Sequence, residues 1–139
     1  TTALAVAAAD TLASEIGVLA PAPVLIINPR TRVAPGTDGG ISVIGSVAAV
    51  LSALSMSMIS LAVFVIVGWP DDFEWKQAGN FDFLLLLLPA GLGFVGCQLD
   101  SILGATAEKR GWLGNGGVNF VAIGISAVIS LQLLGFLRN

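Results

Sequence analysis

Asp10 and Glu15 in ADTLASEIG, Asp100 in LDSILGAT and Asn119 in GNGGVNF all interrupt otherwise apolar runs. Between the first two motifs lies INPRTRVAPGTDGG, which joins two arginines to a glycine-rich turn. Carboxylates hold hard cations such as Mg²⁺, and Mg²⁺ in turn carries phosphates. Successive backbone N–H groups in a glycine turn form a concave anion nest, and the Arg30 and Arg32 guanidinium forks match phosphate oxygens. The loop is not a Walker A loop, because no lysine follows its glycines at that spacing. The chain has no His and one Cys, so a zinc cage, a His-ligated haem and a Ser-His-Asp triad are excluded within it. Cys97 is read as a small packing residue. A hard cation with oxygen ligands is what remains.

The elements that position these groups follow from composition. Hydrophobic residues make up 55% of the 139-residue chain and charged ones 11%, against about 25% charged in soluble domains. The mean hydropathy is +0.92. Such a chain has too little polar surface to cover a globule. Residues 41–67, 81–107 and 117–137 are apolar blocks, each at or above the roughly 20 residues that cross about 30 Å of hydrocarbon. With the opening segment they predict about four spans in an all-α polytopic transmembrane bundle. Pro89 and Gly91 are expected to kink the third span, and the serines of the second, Ser52, Ser55, Ser57 and Ser60, to pack. The connecting stretches 20–40, 68–80 and 108–116 carry the Pro, Gly and charge expected of loops. The chain reads as one membrane domain, 1–139, and as the C-terminal part of a longer protein, since it opens inside an apolar helix without a charged leader.

Arg30, Arg32, Lys109 and Arg110 fall in loops 20–40 and 108–116, whereas Lys76 and Arg138 fall on the other side. The positive-inside bias therefore predicts that loops 20–40 and 108–116 are cytoplasmic. Trp69 and Trp75 would mark one membrane interface and Trp112 the other. Asp10 then lies about 15 Å below the cytoplasmic helix end at 1.5 Å per residue, Glu15 lies nearer the surface, and Asp100 comes to a similar depth. Asn119 opens the last span on the same side. Positions three, four and seven apart share a helix face, so Asp10 aligns with Ala3, Ala7, Ser14 and Gly17, and Asp100 with Gly96 and Gly104. Small residues let helices approach closely in membranes, and intramembrane acids face the bundle or a wet cavity. The bland alternative is that both acids serve only as interhelical glue. The face formed by Ala122, Ser126 and Ser130 could pack within a protomer or in a homo-oligomer. No basic block with stacking aromatics points to nucleic acid.

The four motifs, in this order, resemble those of the membrane family that includes plant phytyl phosphate kinase and the animal transmembrane protein nineteen, also known as domain-of-unknown-function family ninety-two. The sequence departs from the family pattern at Leu12, where an aromatic residue is usual, and lacks a second asparagine before Val118. The resemblance implies a phosphotransferase that converts an isoprenoid monophosphate of phytyl or geranylgeranyl type to its diphosphate, with CTP or another nucleoside triphosphate as donor and Mg²⁺ as cofactor. It carries the site onto Asp10, Ser14 and Glu15, then Gly36, Thr37, Gly39 and Gly40, then Asp100, Ser101 and Thr106, with Asn119 completing it. On this expectation Asp10 and Asp100 hold Mg²⁺, with Glu15 adding to the metal or orienting water. Arg30 or Arg32 and the glycine loop cradle the triphosphate, and Lys109 or Arg110 meets the lipid phosphate. The competing class is an ion- or proton-coupled transporter, in which the same acids bind the coupling ion and Pro89, Gly91 and Gly93 break a helix near the midplane.

Overall fold

A computed structural model describes residues 1–67 and 81–138. Loop 68–80, with Trp69, Trp75 and Lys76, lies outside the described residues. In chain order the elements are α1 (Thr2–Gly17), β1 (Val24–Leu25), β2 (Asn28–Arg32), β3 (Gly40–Ile41), α2 (Val43–Val67), α3 (Phe81–Leu103), one π-helical turn (Gly104–Glu108) and α4 (Asn115–Arg138).

Among the described residues three stretches are long and apolar enough to cross a membrane: Val43–Val67, Leu86–Glu108 and Asn115–Phe136. The fourth expected span is α1, with 16 residues or about 24 Å at 1.5 Å per residue. Its last turn tightens as Leu19 N–H donates to the Ile16 carbonyl and Ala20 N–H to that of Gly17. Pro21 and Pro23 follow, and proline cannot continue a helix.

The helical bundle stands as expected, and loop 20–40 adds a small antiparallel sheet in the order β2-β1-β3. Val24 pairs with Arg32 on one side and with Ile41 on the other. The run Val24-Leu25-Ile26-Ile27 is a strand signal that is easily hidden among the neighbouring prolines and glycines.

Small side chains hold the helices together. α1 buries Thr2, Ala5, Val6 and Ala9, and α2 buries Gly45, Ala48, Ala49, Ser52, Ala53 and Ser57. Along α4 the buried positions Val118, Ala122, Ser126 and Ser130 recur every fourth residue, which is one helix face. That face packs within the chain: Thr2 Oγ1 donates to Ser130 Oγ at 2.8 Å. Ala9, Ala49, Ala53 and Cys97 form the innermost cluster, so Cys97 does sit as a packing residue. Of the α2 serines, Ser52 and Ser57 are buried, whereas Ser55 is exposed and donates back to the Leu51 carbonyl at 2.8 Å. The outer faces carry large apolar groups, with Ile66 83% and Phe120 78% exposed, as suits helices solvated by lipid.

α3 stands between α1 and α4 and touches both through Gly96. A Cβ there would lie 2.6 Å from Val6 Cγ2 and 2.6 Å from Ser126 Oγ, whereas a Cβ at Gly124 would meet open space. Gly96→Ala is therefore expected to lower stability in detergent by about 1–3 kcal/mol through overpacking. Gly124→Ala should leave it unchanged or raise it by up to about 1 kcal/mol. Thermal unfolding of the two variants beside the parent checks this, and equal melting temperatures would contradict the close approach of α3 to its neighbours.

Candidate functional site

The C-terminal halves of α1 and α3, the N-termini of α2 and α4 and the loop before β3 meet at one end of the bundle. They enclose a cavity of about 460 Å³. α1 contributes Asp10, Ser14 and Glu15; α3 contributes Asp100 and Ser101; α4 contributes Asn115 and Asn119. The loop closes over them with Gly36, Thr37, Asp38, Gly39 and Gly40, and the π turn adds Glu108. Ser42 caps α2 by accepting the Gly45 N–H at 3.1 Å and lines the cavity with Ser46.

Asp10 and Asp100 are half-buried, and their carboxyl groups stand close enough to act on one another, with Glu108 adding to the field at Asp100. Asp10 belongs to the edge of the packed α1 face, one position beyond buried Ala9, which explains why it walls the cavity and is not lost in the core. A second cavity of about 70 Å³ lies between α1 and α4 and is lined by the same Asp10, Asp100 and Asn119. Asp100 Oδ1 and Asn119 Oδ1 are buried and, among the described residues, find no hydrogen-bond donor. An unsatisfied buried acceptor costs about 1–3 kcal/mol. These two oxygens are therefore suited to an incoming donor or cation. Among the described residues no three acidic, Cys or His side chains cluster tightly enough to cage a metal by themselves. Mg²⁺ needs less, since it is commonly held by one or two carboxylates together with substrate phosphates.

The glycine loop is built for close approach. Gly39 has φ +73°, and a Cβ on it would fall 2.3 Å from Ala105 Cβ and 2.8 Å from the Ser101 carbonyl oxygen. The loop is thus pressed onto the end of α3, directly above Ser101 and Gly104. Two of its N–H groups are used internally: Thr37 donates to Ala34 O at 3.1 Å and Gly40 to Thr37 O at 2.8 Å. Thr37 Oγ1 also donates to Ala34 O at 2.7 Å. Those N–H groups do not point a nest at a ligand, so the loop serves as a lid-like wall first.

The expected basic residues stand elsewhere. Arg30 and Arg32 lie on β2, exposed along the whole strand, and neither lines the cavity. The strand order explains this, because β2 is the edge remote from β3, the strand that leads into α2. Lys109 is exposed just past the π turn, and the Arg110 guanidinium lies 4.9 Å from the centre of the Trp112 ring, a cation–π contact. Thr106 donates to the Ile102 carbonyl at 2.7 Å and does not line the cavity. Among the described residues the wall holds five carboxylates, Asp10, Glu15, Asp38, Asp100 and Glu108, and no Lys or Arg.

Asp38, Gln98, Glu108 and Asn115 are wall residues that sequence reasoning missed. Asp38 stands inside the quoted TDGG, and Asn115 one turn before Asn119, so both were within reach. Glu108 was not. In an unbroken α-helix Ala107, seven residues after Asp100, would share its face. The extra residue of the π turn passes that face to Glu108, and Ala107 is buried instead.

The model of the family described as integral membrane protein DUF92 matches residues 1–127. The chain belongs to this family. It is 30% identical over 130 residues to the uncharacterized membrane protein MJ0933 of Methanocaldococcus jannaschii, a match that covers 94% of this chain and 48% of that protein. It is also 30% identical over 149 residues to Protein PGR of Arabidopsis thaliana, covering 87% of this chain and 49% of that protein. The chain thus spans about half the length of the curated relatives it matches. No solved structure matches it significantly. The DUF92 match takes in every wall residue from Asp10 to Asn119.

Placing two carboxyl groups together out of water works against the fold, since desolvating an ionised group is costly and like charges repel where screening is weak. In metal-free detergent Asp10→Asn and Asp100→Asn should each raise stability by about 0.5–2 kcal/mol, the common exchange of site strain for stability. Added Mg²⁺ should raise the melting temperature of the parent, as any ligand of the native state does, and leave both variants unmoved. A parent that Mg²⁺ does not stabilise would show that these oxygens take no such cation.

Proposed function

We propose that this site is that of a Mg²⁺-dependent phosphotransferase that extends an isoprenoid monophosphate to the diphosphate, with CTP or another nucleoside triphosphate as donor. The observation that carries the reading is the facing pair Asp10 and Asp100 beside the donorless oxygens of Asp100 and Asn119, on the wall of a polar cavity at one end of the bundle. The resemblance of the four motifs to a family with lipid phosphate kinases supports the reaction class.

The donor set fits the metal. Two carboxylates and an amide oxygen are hard ligands, and they leave coordination positions for phosphate oxygens and water. Mg²⁺ bound there would neutralise phosphate charge, which is most of what phosphoryl transfer requires of its site. Asp10, Asp100 and Asn119 would hold it. The N-terminus of α4, whose Asn115 lines the cavity, brings the positive end of its dipole to the same region. Ser14, Ser101 and the loop residues Gly36 to Gly40 would position the substrates and keep water out. The reaction joins a phosphate oxygen of the lipid substrate to the terminal phosphorus of the triphosphate. The bond from that phosphorus to the bridging oxygen breaks, and the nucleoside diphosphate leaves. We assign the cavity end to the cytoplasm, where Arg30, Arg32, Lys109 and Arg110 gather and nucleotide is available.

A wall that, among the described residues, holds five carboxylates and no basic residue also favours a second reading, a cation-binding step in transport. Below the acids, however, Ala9, Ala49 and Ala53 are fully buried and Cys97 is 2% exposed. Among the described residues the seam between α1, α2 and α3 is closed at this cluster.

With full-length protein, Mg²⁺, labelled CTP or ATP and phytyl or geranylgeranyl phosphate, labelled diphosphate should form. Asp100→Asn and Asp10→Asn should each lower the rate by about 100-fold or more, the scale for losing a group that stabilises charge in the transition state. Replacing Arg30 and Arg32 together by Ala should change it less than about threefold, since a group that does not meet the transition state contributes little. Full turnover in both Asp variants would defeat the metal assignment. Ion flux in proteoliposomes without nucleotide turnover would replace transfer by transport.

A further inference from the structure

A third cavity lies on the outer face of the bundle. It measures about 440 Å³ and runs along α2 past Val43, Val47, Val50 and Leu51, with Phe94 of α3 as its far wall. Its upper end is closed by Val24 and Ile41, the cross-strand pair of β1 and β3. Apart from two serines the wall is apolar. Those serines, Ser42 and Ser46, together with Ile41, also line the polar cavity that holds Asp10 and Asp100. A polar chamber and an apolar trough therefore share one wall at the loop end of α2.

We infer that this trough is the tail channel of the substrate: it takes the phosphate-proximal part of one hydrocarbon chain whose phosphate enters the acid cavity past Ser42 and Ser46. The inference rests on the proposed function for the phosphate end and goes beyond it by assigning the residues that recognise the chain. Three features select the occupant. The shared wall calls for an amphiphile whose polar end joins directly to its apolar end. The trough is walled by α2 and by Phe94 of α3 and covered at the top by the sheet, which suits one chain better than two. From Val43 to Leu51 it follows α2 for about 12 Å at 1.5 Å per residue, less than half of the roughly 30 Å hydrocarbon depth. The trough thus reads the first part of the chain and leaves the remainder to the bilayer, so specificity falls on structure near the phosphate and little on total length.

Val47 tests this directly. It is 52% exposed and Val63, farther along the same helix, is 50% exposed, so a larger side chain at either meets lipid and not the core. The probe is a long-chain alkyl monophosphate that carries a diazirine near its phosphate, photolysed with full-length protein in liposomes and mapped across the entire chain by mass spectrometry. Labelling is expected on residues 43–51 or Phe94, displaced by unlabelled single-chain monophosphate and not by two-chain phosphatidic acid. Val47→Trp should cut that labelling about tenfold and shift the preference between long-chain and five-carbon monophosphates by a similar factor, the scale of a hydrophobic-pocket change. Val63→Trp should do neither. Competable label on other segments, equal displacement by phosphatidic acid, or an unchanged Val47→Trp variant would each overturn the channel. Labelling requires no turnover, so a labelled trough in a protein without transferase activity would defeat the proposed reaction and leave the channel standing. Turnover with the label elsewhere would do the reverse.

Discussion

Helices in a bilayer gain little by burying apolar side chains against each other, because lipid is as apolar as leucine, so association depends on how closely backbones approach. Everything in this bundle follows from that constraint. Ala5, Val6 and Ala9 on α1, Ala49 and Ala53 on α2, and Gly96 and Cys97 on α3 form a face-to-face seam with almost no bulk. Because the seam is tight, residues at its border are brought together as well. Asp10 borders the seam on α1 and Asp100 borders it on α3, and their carboxyls meet because the backbones do. Wider helices carrying leucine at these positions would leave the two acids on opposite sides of a greasy interface.

The seam also explains where the polar cavity can lie. It is packed through Ala9, Ala49, Ala53 and Cys97, and it opens where α1 ends at Gly17 and α2 begins at Val43. The 25 residues between these helices must return from one to the other. They do so as a three-stranded sheet whose last turn is pressed by Gly39 onto Ser101 at the end of α3 and Ala105 of the π turn. The loop is therefore fastened to the same helix that carries Asp100, and any shift of α3 moves acid and cover together. Such coupling suits a site that must exclude water while admitting a charged group.

Much of this was legible in sequence, and what was not has identifiable physical causes. The spans at 41–67, 81–107 and 117–137 appeared within a few residues as α2, α3 with its π turn, and α4, because in lipid an uninterrupted apolar run has no option but a helix. The approach of Asp10, Asp100 and Asn119 followed from depth counting, which needs only a constant rise per residue. The sheet did not, since strands of two to five residues carry too few positions for a period to show. Nor did the strand order, which alone decides that Arg30 and Arg32 face away while Gly39 and Gly40 face the helices. The π turn was invisible for a related reason. One inserted residue changes which side chain faces the cavity without altering composition or hydropathy, and so Glu108 was overlooked while Thr106, expected at the site from its motif, bonds to its own helix.

The charge of the cavity wall limits what can occupy it. Five carboxylates and, among the described residues, no Lys or Arg repel a bare phosphate, and the α4 N-terminus, worth about half an elementary charge, does not balance them. A phosphate can enter only with its own positive charge, and a cation bound between Asp10 and Asp100 is held more firmly once phosphate oxygens complete its coordination. Under the proposed function the two ligands are therefore linked: each raises the affinity of the other by the same factor, as reciprocity of binding free energies requires. Had Arg30 and Arg32 lined the wall, phosphate binding would not need the metal and this linkage would be lost. Under the proposed function the acid-only wall thus favours a site in which phosphate follows the metal, and it makes magnesium dependence a property of substrate binding as much as of the chemical step.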